Sequence, residues 1–444
     1  MTPKRFLIET FGCQMNEHDS EKIAGLLSRQ GMLPAESLED ADLFILNTCS
    51  VREKAAQKVY SRLGEVKRQK RRRQDFIIGV VGCVAQQEGA EMTRRAPFID
   101  LVVGTHMYHA LPDLLDQVGQ DRDTAPHVAT DFLPERAPVE IDAVARQTRF
   151  RAAITIMEGC NKRCSFCIVP YTRGKERNRP ARLIIEEAQR AAAEGFVELL
   201  LLGQTVNSYR DQDNPRMRFP DLLATVAQIP GIRRVRFTSP HPRAFDDDTI
   251  AVIASLPTIC DQVHVPLQSG STRILKRMRR QHTGPWYLEL VDKFRSCGRP
   301  ISLSTDVIVG FPGETEADFQ QTLDIVRAAQ FESMFSFKYS PRPLTEAFDW
   351  EDDVPEEEKG RRLMALQQLQ RGIQLKLHRR RYLGQDRELL VEGPARDGLQ
   401  RCGRTTTNKV VNFAGVEPPG AFLTVKITQV GPNSLVGEKT PAGD

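Results

Sequence analysis

At 444 residues the chain is long for one domain, and at roughly 150 residues per domain three are expected. Hydrophobic residues make up 40% and charged residues 27%, ordinary globular usage that excludes a disordered, collagen-like or coiled-coil protein. The net charge of +4 says little by itself about partners.

The first third alternates strand and helix. Arg5 to Thr10 reads as a strand, Glu17 to Arg29 as a helix and Leu43 to Asn47 as a second strand. A helix follows from Arg52 to Gln69, then a strand from Phe76 to Val81, a helix from Gln86 to Arg95 and a short strand from Leu101 to Val103. Short apolar runs between helices predict a parallel sheet. Gly119 to Arg146 carries Pro126, Pro134 and Pro138, many charges and no period, and reads as a linker. The alternation resumes with strand candidates at Ala152–Met157, Val197–Leu202, Ile232–Phe237, Val263–Val265, Ile301–Val309 and Met334–Phe337. Six strands in this rhythm predict an open or closed α/β barrel. After a long helix from Gly360 to Arg381, short β-prone runs (Glu388–Val391, Lys409–Phe413, Ala421–Thr428) predict a small β-barrel. The fold class is thus α/β with a C-terminal β-barrel. The expected divisions are residues 1–120, a linker at 121–145, a core at 146–380 and a barrel at 381–444.

The longest apolar runs, Phe76–Ala85 and Phe196–Leu202, fall short of the ~18 residues of a membrane span. Met1 to Glu9 lacks the apolar core of a signal peptide. A cytoplasmic protein without membrane contact is expected. Seven Lys or Arg lie between Arg62 and Arg73, and five between Arg273 and Arg280. Each run is either a solvated face or a polyanion surface.

The nine cysteines are more informative. An odd number argues against a disulfide framework, and in a reducing compartment clustered thiols point to metal ligands or reactive groups. Cys160, Cys164 and Cys167 form a Cys-x3-Cys-x2-Cys set directly after a predicted strand. Three thiolates on one loop can hold three corners of a cubane iron–sulfur cluster and leave the fourth iron open to a small molecule. A zinc site lacking its fourth ligand, or inert buried thiols, are the other readings. Phe166 supplies an apolar or stacking surface beside the loop. Cys13, Cys49 and Cys83 are far apart in sequence, yet each follows a predicted strand by two or three residues. Strand ends of a parallel sheet share one edge, where α/β folds bind ligands. The three either converge on one metal centre or are buried thiols. Cys260, Cys297 and Cys402 have no partner spacing and read as packing thiols.

The Cys-x3-Cys-x2-Cys loop, with an aromatic before its last cysteine, resembles the radical S-adenosylmethionine (SAM) superfamily. Thr10-Phe11-Gly12-Cys13-Gln14-Met15-Asn16, Asn47-Thr48-Cys49-Ser50-Val51-Arg52, Gly82-Cys83-Val84-Ala85-Gln86 and Pro170-Tyr171-Thr172-Arg173-Gly174 resemble its methylthiotransferase branch over essentially the whole chain. The resemblance implies an N-terminal α/β domain, a radical SAM partial barrel and a C-terminal OB-like TRAM barrel. It also implies two [4Fe-4S] clusters, one on each cysteine trio, and SAM chelated by the open iron of the second. Gly203 and Gln204 would contact the SAM amino group, while Gly310, Gly313 and Glu314 would line the adenosyl pocket. A structural turn is the competing reading of both glycine segments. Glu158, Asp306 and Glu314 are acid–base candidates by location only.

The segment Gly403-Arg404-Thr405-Thr406-Thr407-Asn408-Lys409 matches the Gly-Arg-Thr-x-x-Asn pattern of the branch's tRNA-modifying members. Arg404 and Lys409 could hold phosphates and Asn408 a base edge, with Phe413 either stacking or in the barrel core. The implied activity is methylthiolation at C2 of a hypermodified adenosine beside the tRNA anticodon. The implied partners are tRNA, a flavodoxin-like or ferredoxin-like electron donor and a sulfur or cluster supply protein, around a monomeric enzyme. The alternatives are a ribosomal-protein methylthiotransferase and a non-catalytic iron–sulfur RNA carrier.

Overall fold

The computed structural model describes residues 4–50, 53–120, 126–134, 144–396 and 398–440. Six strands, β1 (Arg5–Phe11), β2 (Leu33–Pro34), β3 (Leu43–Thr48), β4 (Ile77–Gly82), β5 (Leu101–Val103) and β6 (His127–Ala129), form one sheet. Its order is β2-β1-β3-β4-β5-β6 and every pairing is parallel. Helices cover both faces, which explains the unbroken apolar runs. Phe44, Leu46, Ile78 and Val80 pack on one side, and Leu43, Ile45, Ile77 and Val81 on the other.

Two expectations need correction here. The linker expected at 121–145 supplies β6, whose Val102↔Val128 pairing completes the sheet. Three residues with one large apolar side chain carry no readable period. The helix expected from Gln86 to Arg95 is two short helices, Cys83–Glu88 and Ala90–Arg95, broken at Gly89. Residues 121–125 and 135–143 of that linker lie outside the described residues.

The core is built from β7 (Arg151–Thr155), a two-residue ribbon of β8 (Met157–Glu158) and β9 (Arg177–Asn178), and then β10 (Glu198–Leu202), β11 (Arg234–Phe237), β12 (Gln262–His264), β13 (Ser302–Val309) and β14 (Ser333–Lys338). Two parallel three-stranded sheets, β11-β10-β7 and β12-β13-β14, are joined by the Val235↔Ile259 bridge. β7 pairs with β10 alone, and β14 with β13 alone. The barrel is therefore open between its first and last strands.

The C-terminal domain closes five strands, β15 (Asp386–Pro394), β16 (Arg401–Arg404), β17 (Val410–Phe413), β18 (Phe422–Val430) and β19 (Leu435–Lys439), in the order β15-β16-β17-β19-β18. Leu389, Val391, Val411, Phe413, Val425, Ile427 and Leu435 fill it. It sits against the amino ends of the core strands. Arg234 at the start of β11 donates to the Arg404 carbonyl at 2.6 Å, and Arg236 to that of Thr405 at 2.7 Å. Thr406 donates to Asp261, just before β12. No helix among the described residues is long and apolar enough to cross a membrane.

Candidate functional site

The dispersed cysteines are brought together by register. Phe11 on β1 pairs with Thr48 on β3, and Thr48 with Gly82 on β4. Three neighbouring strands therefore end level, with Cys49 and Cys83 immediately after those ends and Cys13 one residue further on. Cys13 caps the helix Gln14–Arg29, and Cys83 opens the helix Cys83–Glu88. Helix N-termini favour thiolate. Asn16 and Asn47, both fully buried, lock the turns. Asn16 Nδ2 donates to Asn47 Oδ1 at 3.1 Å, Asn47 Nδ2 to the Asn16 carbonyl at 2.9 Å, and the Cys13 thiol to Asn16 Oδ1 at 3.3 Å. A hydrogen bond with Cys49, helped by the Arg173 guanidinium, draws the Cys13 thiol down to about 6 against the effect of burial. Burial pushes Cys83 up. Gly82 has φ +90°, and a Cβ there would overlap Asn47, so glycine is required before Cys83.

The second set lies on the loop after β8. Cys160 N–H donates to the Gly174 carbonyl at 3.1 Å, and Cys167 N–H to that of Cys164 at 3.1 Å. Ser165 Oγ donates to the Arg277 carbonyl at 2.9 Å, fixing the loop's centre. Gly159, with φ +75°, brings the chain so close to Lys175 that a Cβ would overlap its carbonyl. Phe166 packs edge-on against Phe311 at 6.2 Å, with Ile308 and Trp350 in the same cluster. Burial raises Cys160 and pushes Cys167 up to about 12, a protonation that a coordinated metal reverses.

Sequence reasoning missed Arg280 and the full role of Arg173. Arg280 Nη1 donates to Cys164 Sγ at 3.6 Å, and Nη2 to the Pro266 carbonyl at 3.3 Å. It lies in the basic run 273–280, several of whose members have partners within the protein. Arg273 pairs with Asp318, Arg279 with Glu346, and Arg277 Nε donates to the Pro312 carbonyl. In the other run Arg62, Lys70 and Arg73 are held by Glu9, Asp100 and Asp42.

Arg173 belongs to the segment just after Cys167 and reaches the N-terminal domain. Its guanidinium pairs with Asp19 at 2.6 Å, and both groups are buried. Thr105 Oγ1 donates to the Thr172 carbonyl at 2.6 Å. His106 Nδ1 accepts from Leu133 N–H, so its Nε2 carries the proton and donates to the Arg173 carbonyl at 2.9 Å. Lys22 reaches Glu158 at 3.6 Å, and Arg177 reaches the same carboxylate at 2.9 Å. The N-terminal domain thus clasps the stretch next to the second thiol set. Glu158 is a partner in that clasp, not an open acid–base group.

Gly203 ends β10 against Met157, where a Cβ would sit 2.5 Å from Cγ. Glu314 departs from its expected role. Its buried carboxylate accepts from Gly310 N–H at 2.9 Å and from Arg362 at 2.8 Å, so it shapes the glycine loop instead of facing a pocket. Gly313, with φ +80°, abuts the Arg277 guanidinium.

The RNA expectation for Lys409 is corrected. Lys409 is buried, and its ammonium donates to the Glu332 carbonyl at 2.8 Å. Burial and the nearby Arg381 push it down to about 7. Charge alone had marked it for phosphate, but its position is the seam between barrel and core. Arg404 is half-buried on Glu392 at 2.9 Å and 3.1 Å and donates to Asn408 Oδ1 at 3.2 Å. Asn408 is exposed. Phe413 is fully buried in the barrel core.

Three thiols on one loop and three at level strand ends are donor sets that fit a cubane cluster. Among the described residues no three His, Cys, Asp or Glu side chains converge on a point one ion would fill. In a cubane each of three thiolates binds a different iron. Some of the molecule's buried, unpartnered polar atoms lie at these places. Asp19 Oδ1, Thr48 Oγ1 and Ser50 Oγ lie by the first set, and Gln204 Oε1 and Arg280 Nε lie by the second. Each is buried without a hydrogen-bond partner, a condition that calls for an explanation such as a ligand.

Residues 5–104 match the Uncharacterized protein family UPF0004, residues 154–326 the Radical SAM superfamily and residues 380–440 the TRAM domain. The architecture is shared with the radical S-adenosylmethionine methyltransferase TsrM from Kitasatospora setae, solved with cobalamin and a [4Fe-4S] cluster. The TM-score is 0.57 at 16% identity, covering 78% of this chain and 77% of that one. The fold and site define a radical SAM enzyme with an added N-terminal sheet and a C-terminal barrel. The tRNA-2-methylthio-N(6)-dimethylallyladenosine synthase of Solibacter usitatus is 47% identical over 442 residues, covering 98% of each chain. The protein of the same name from Koribacter versatilis is 46% identical over 443 residues, again 98% of each. This chain belongs to the family of tRNA-2-methylthio-N(6)-dimethylallyladenosine synthases.

Proposed function

We propose that this chain is the enzyme that methylthiolates C2 of N6-dimethylallyladenosine beside the anticodon of tRNA. The observation that carries the reading is the Arg173–Asp19 clasp, which apposes the level strand ends bearing Cys13, Cys49 and Cys83 to the loop bearing Cys160, Cys164 and Cys167. Cys160, Cys164 and Cys167 would hold a cluster that would supply the electron for reductive cleavage of SAM, and Cys13, Cys49 and Cys83 one that would supply the sulfur. The protein's own groups bind and orient. Gln204 Oε1 is a buried acceptor suited to the amino group of SAM, and Arg280 offsets thiolate charge at Cys164. Phe166 and Phe311 shield one side of the loop from water. Gly310 and Gly313 supply the positive φ angles of the turn after β13 and pack against Lys359 and Arg277, so they shape the loop beside the site and do not themselves open a pocket.

Residues up to 129 form the sulfur-carrying domain, 146–380 the radical core and 381–444 the RNA-binding barrel, with Arg404 and Asn408 as contacts at its seam. The enzyme works in the cytoplasm as a monomer, fed by a flavodoxin-like or ferredoxin-like reductant and by a protein that resupplies sulfur or cluster. The test is nucleoside analysis of tRNA bearing dimethylallyladenosine after anaerobic incubation with the reconstituted protein, SAM and reductant. A 2-methylthio nucleoside is expected. SAM cleavage with unaltered tRNA overturns the reading, and methylthiolation of a ribosomal protein redirects it.

A further inference from the structure

Large apolar side chains on a barrel's inner face are normally covered, yet two on β14 are not. Phe335 is 58% and Phe337 is 47% exposed. Alternation fixes their direction. Met334 packs into the main core and Ser336 meets Gln367 of the helix Glu356–Arg381, so both point outward. Phe335 and Phe337 therefore point inward, beside Asp306 and Ile308, their register partners on β13. β14 is the last strand, so both rings line the open side of the barrel. Ile308 also joins the cluster that holds Phe166 of the thiol loop. The apolar strip thus runs from the opening to the radical centre.

The polar side of the same face is organised around Asp306. His264 is held between Ser304 Oγ at 3.0 Å and Asp306 Oδ2 at 3.1 Å, with its ring edge-on to Phe335 at 6.3 Å. Asp306 keeps 29% of its side chain exposed. A flat apolar surface beside a carboxylate acceptor is a surface for an unstacked base whose exocyclic nitrogen bears one hydrogen and an alkyl chain. Enzymes that act on a base take it out of the stack, and aromatic side chains receive it.

We infer that Phe335 and Phe337 form the pocket for the prenylated adenine of the substrate, with Asp306 accepting from its N6–H. This rests on the functional reading above and deepens it. The two phenylalanines distinguish the dimethylallyl base from plain adenosine, and the remainder of the tRNA is held elsewhere.

The reconstituted full-length enzyme is titrated with two tRNAs of one sequence, one carrying dimethylallyladenosine and the other plain adenosine. Wild type should prefer the first. Phe335→Ala and Phe337→Ala should each weaken that binding roughly five- to tenfold, in line with the dimethylallyl chain losing part of its apolar cover. Both should bind the plain tRNA as wild type does, which also controls for folding. Phe335→Trp should retain the preference. If both alanine variants keep the wild-type ratio of the two affinities while wild type makes methylthio product, the pocket is wrong and the function stands. If wild type makes no methylthio product from either tRNA, the function fails and the pocket fails with it.

Discussion

The carboxyl and amino ends of the six core strands are built for different tasks. At the carboxyl ends lie the thiol loop, the glycine turns and the orphan atoms Gln204 Oε1 and Arg280 Nε. At the amino ends lie buried ion pairs that face the C-terminal barrel. Glu198, fully buried at the start of β10, pairs with both Arg151 and Arg236, and Glu392 from the barrel takes Arg151 at 2.6 Å. Gln204 Oε1 and Arg280 Nε lie where a ligand would reach them, whereas the paired groups at the other end hold domains together even though Arg234 Nε there also lacks a partner. Substitutions at the first end should therefore change chemistry, and those at the second end should change stability.

The largest effect expected is at the thiol loop. Wild type should hold about eight irons as two cubane clusters when reconstituted anaerobically. Replacing Cys160, Cys164 and Cys167 with Ala together should leave about four and abolish SAM cleavage. Iron analysis and deoxyadenosine assay check this, and full retention of iron would sink the assignment. Next comes the other trio. Cys13→Ala, Cys49→Ala or Cys83→Ala should stop methylthiolation while reductive SAM cleavage persists, because the radical loop has its own ligands. Unchanged methylthiolation in all three would reduce that trio to packing thiols.

How far these sites can be read from sequence follows from how far apart their partners lie. The set at Cys160, Cys164 and Cys167 is legible because one loop holds it. The set at Cys13, Cys49 and Cys83 is legible only through strand ends, and its convergence depends on the level register of Phe11, Thr48 and Gly82. Arg280 and Arg173 act on residues 116 and 154 positions away, so no local pattern marks them. The burial of Lys409 is not legible because charge in a segment that resembles an RNA-binding pattern says nothing about which domain covers it. The sixth strand of the N-terminal sheet was hidden for a different reason, its three residues being too few to show alternation.

At the amino ends, Glu198→Ala would leave Arg151 and Arg236 buried with no shared carboxylate. Breaking a buried pair from one side costs about 3–5 kcal/mol, so the melting temperature should fall by roughly 2–4 °C for each kcal/mol lost. Methylthiolation by the folded variant, assayed well below that temperature, should match wild type. Loss of activity at full stability would erase the contrast between the two ends.

The smallest effect is the sharpest test of which end Lys409 serves. Its ammonium lies beside Glu332 and Arg381 and is pushed down to about 7 by burial. The folded protein therefore binds fewer protons than the unfolded chain between about pH 7 and the ordinary lysine value of about 10.4. Stability should carry the full cost of the buried charge below pH 7 and gain as pH rises through that window. Lys409→Met should remove this rise, seen as a flatter plot of unfolding free energy against pH. It should also leave tRNA affinity and its salt dependence unchanged, since a buried ammonium releases no counterion on binding. A phosphate contact would instead lower the log–log salt slope by roughly 0.7–0.9, and a drop of that size would return Lys409 to the RNA.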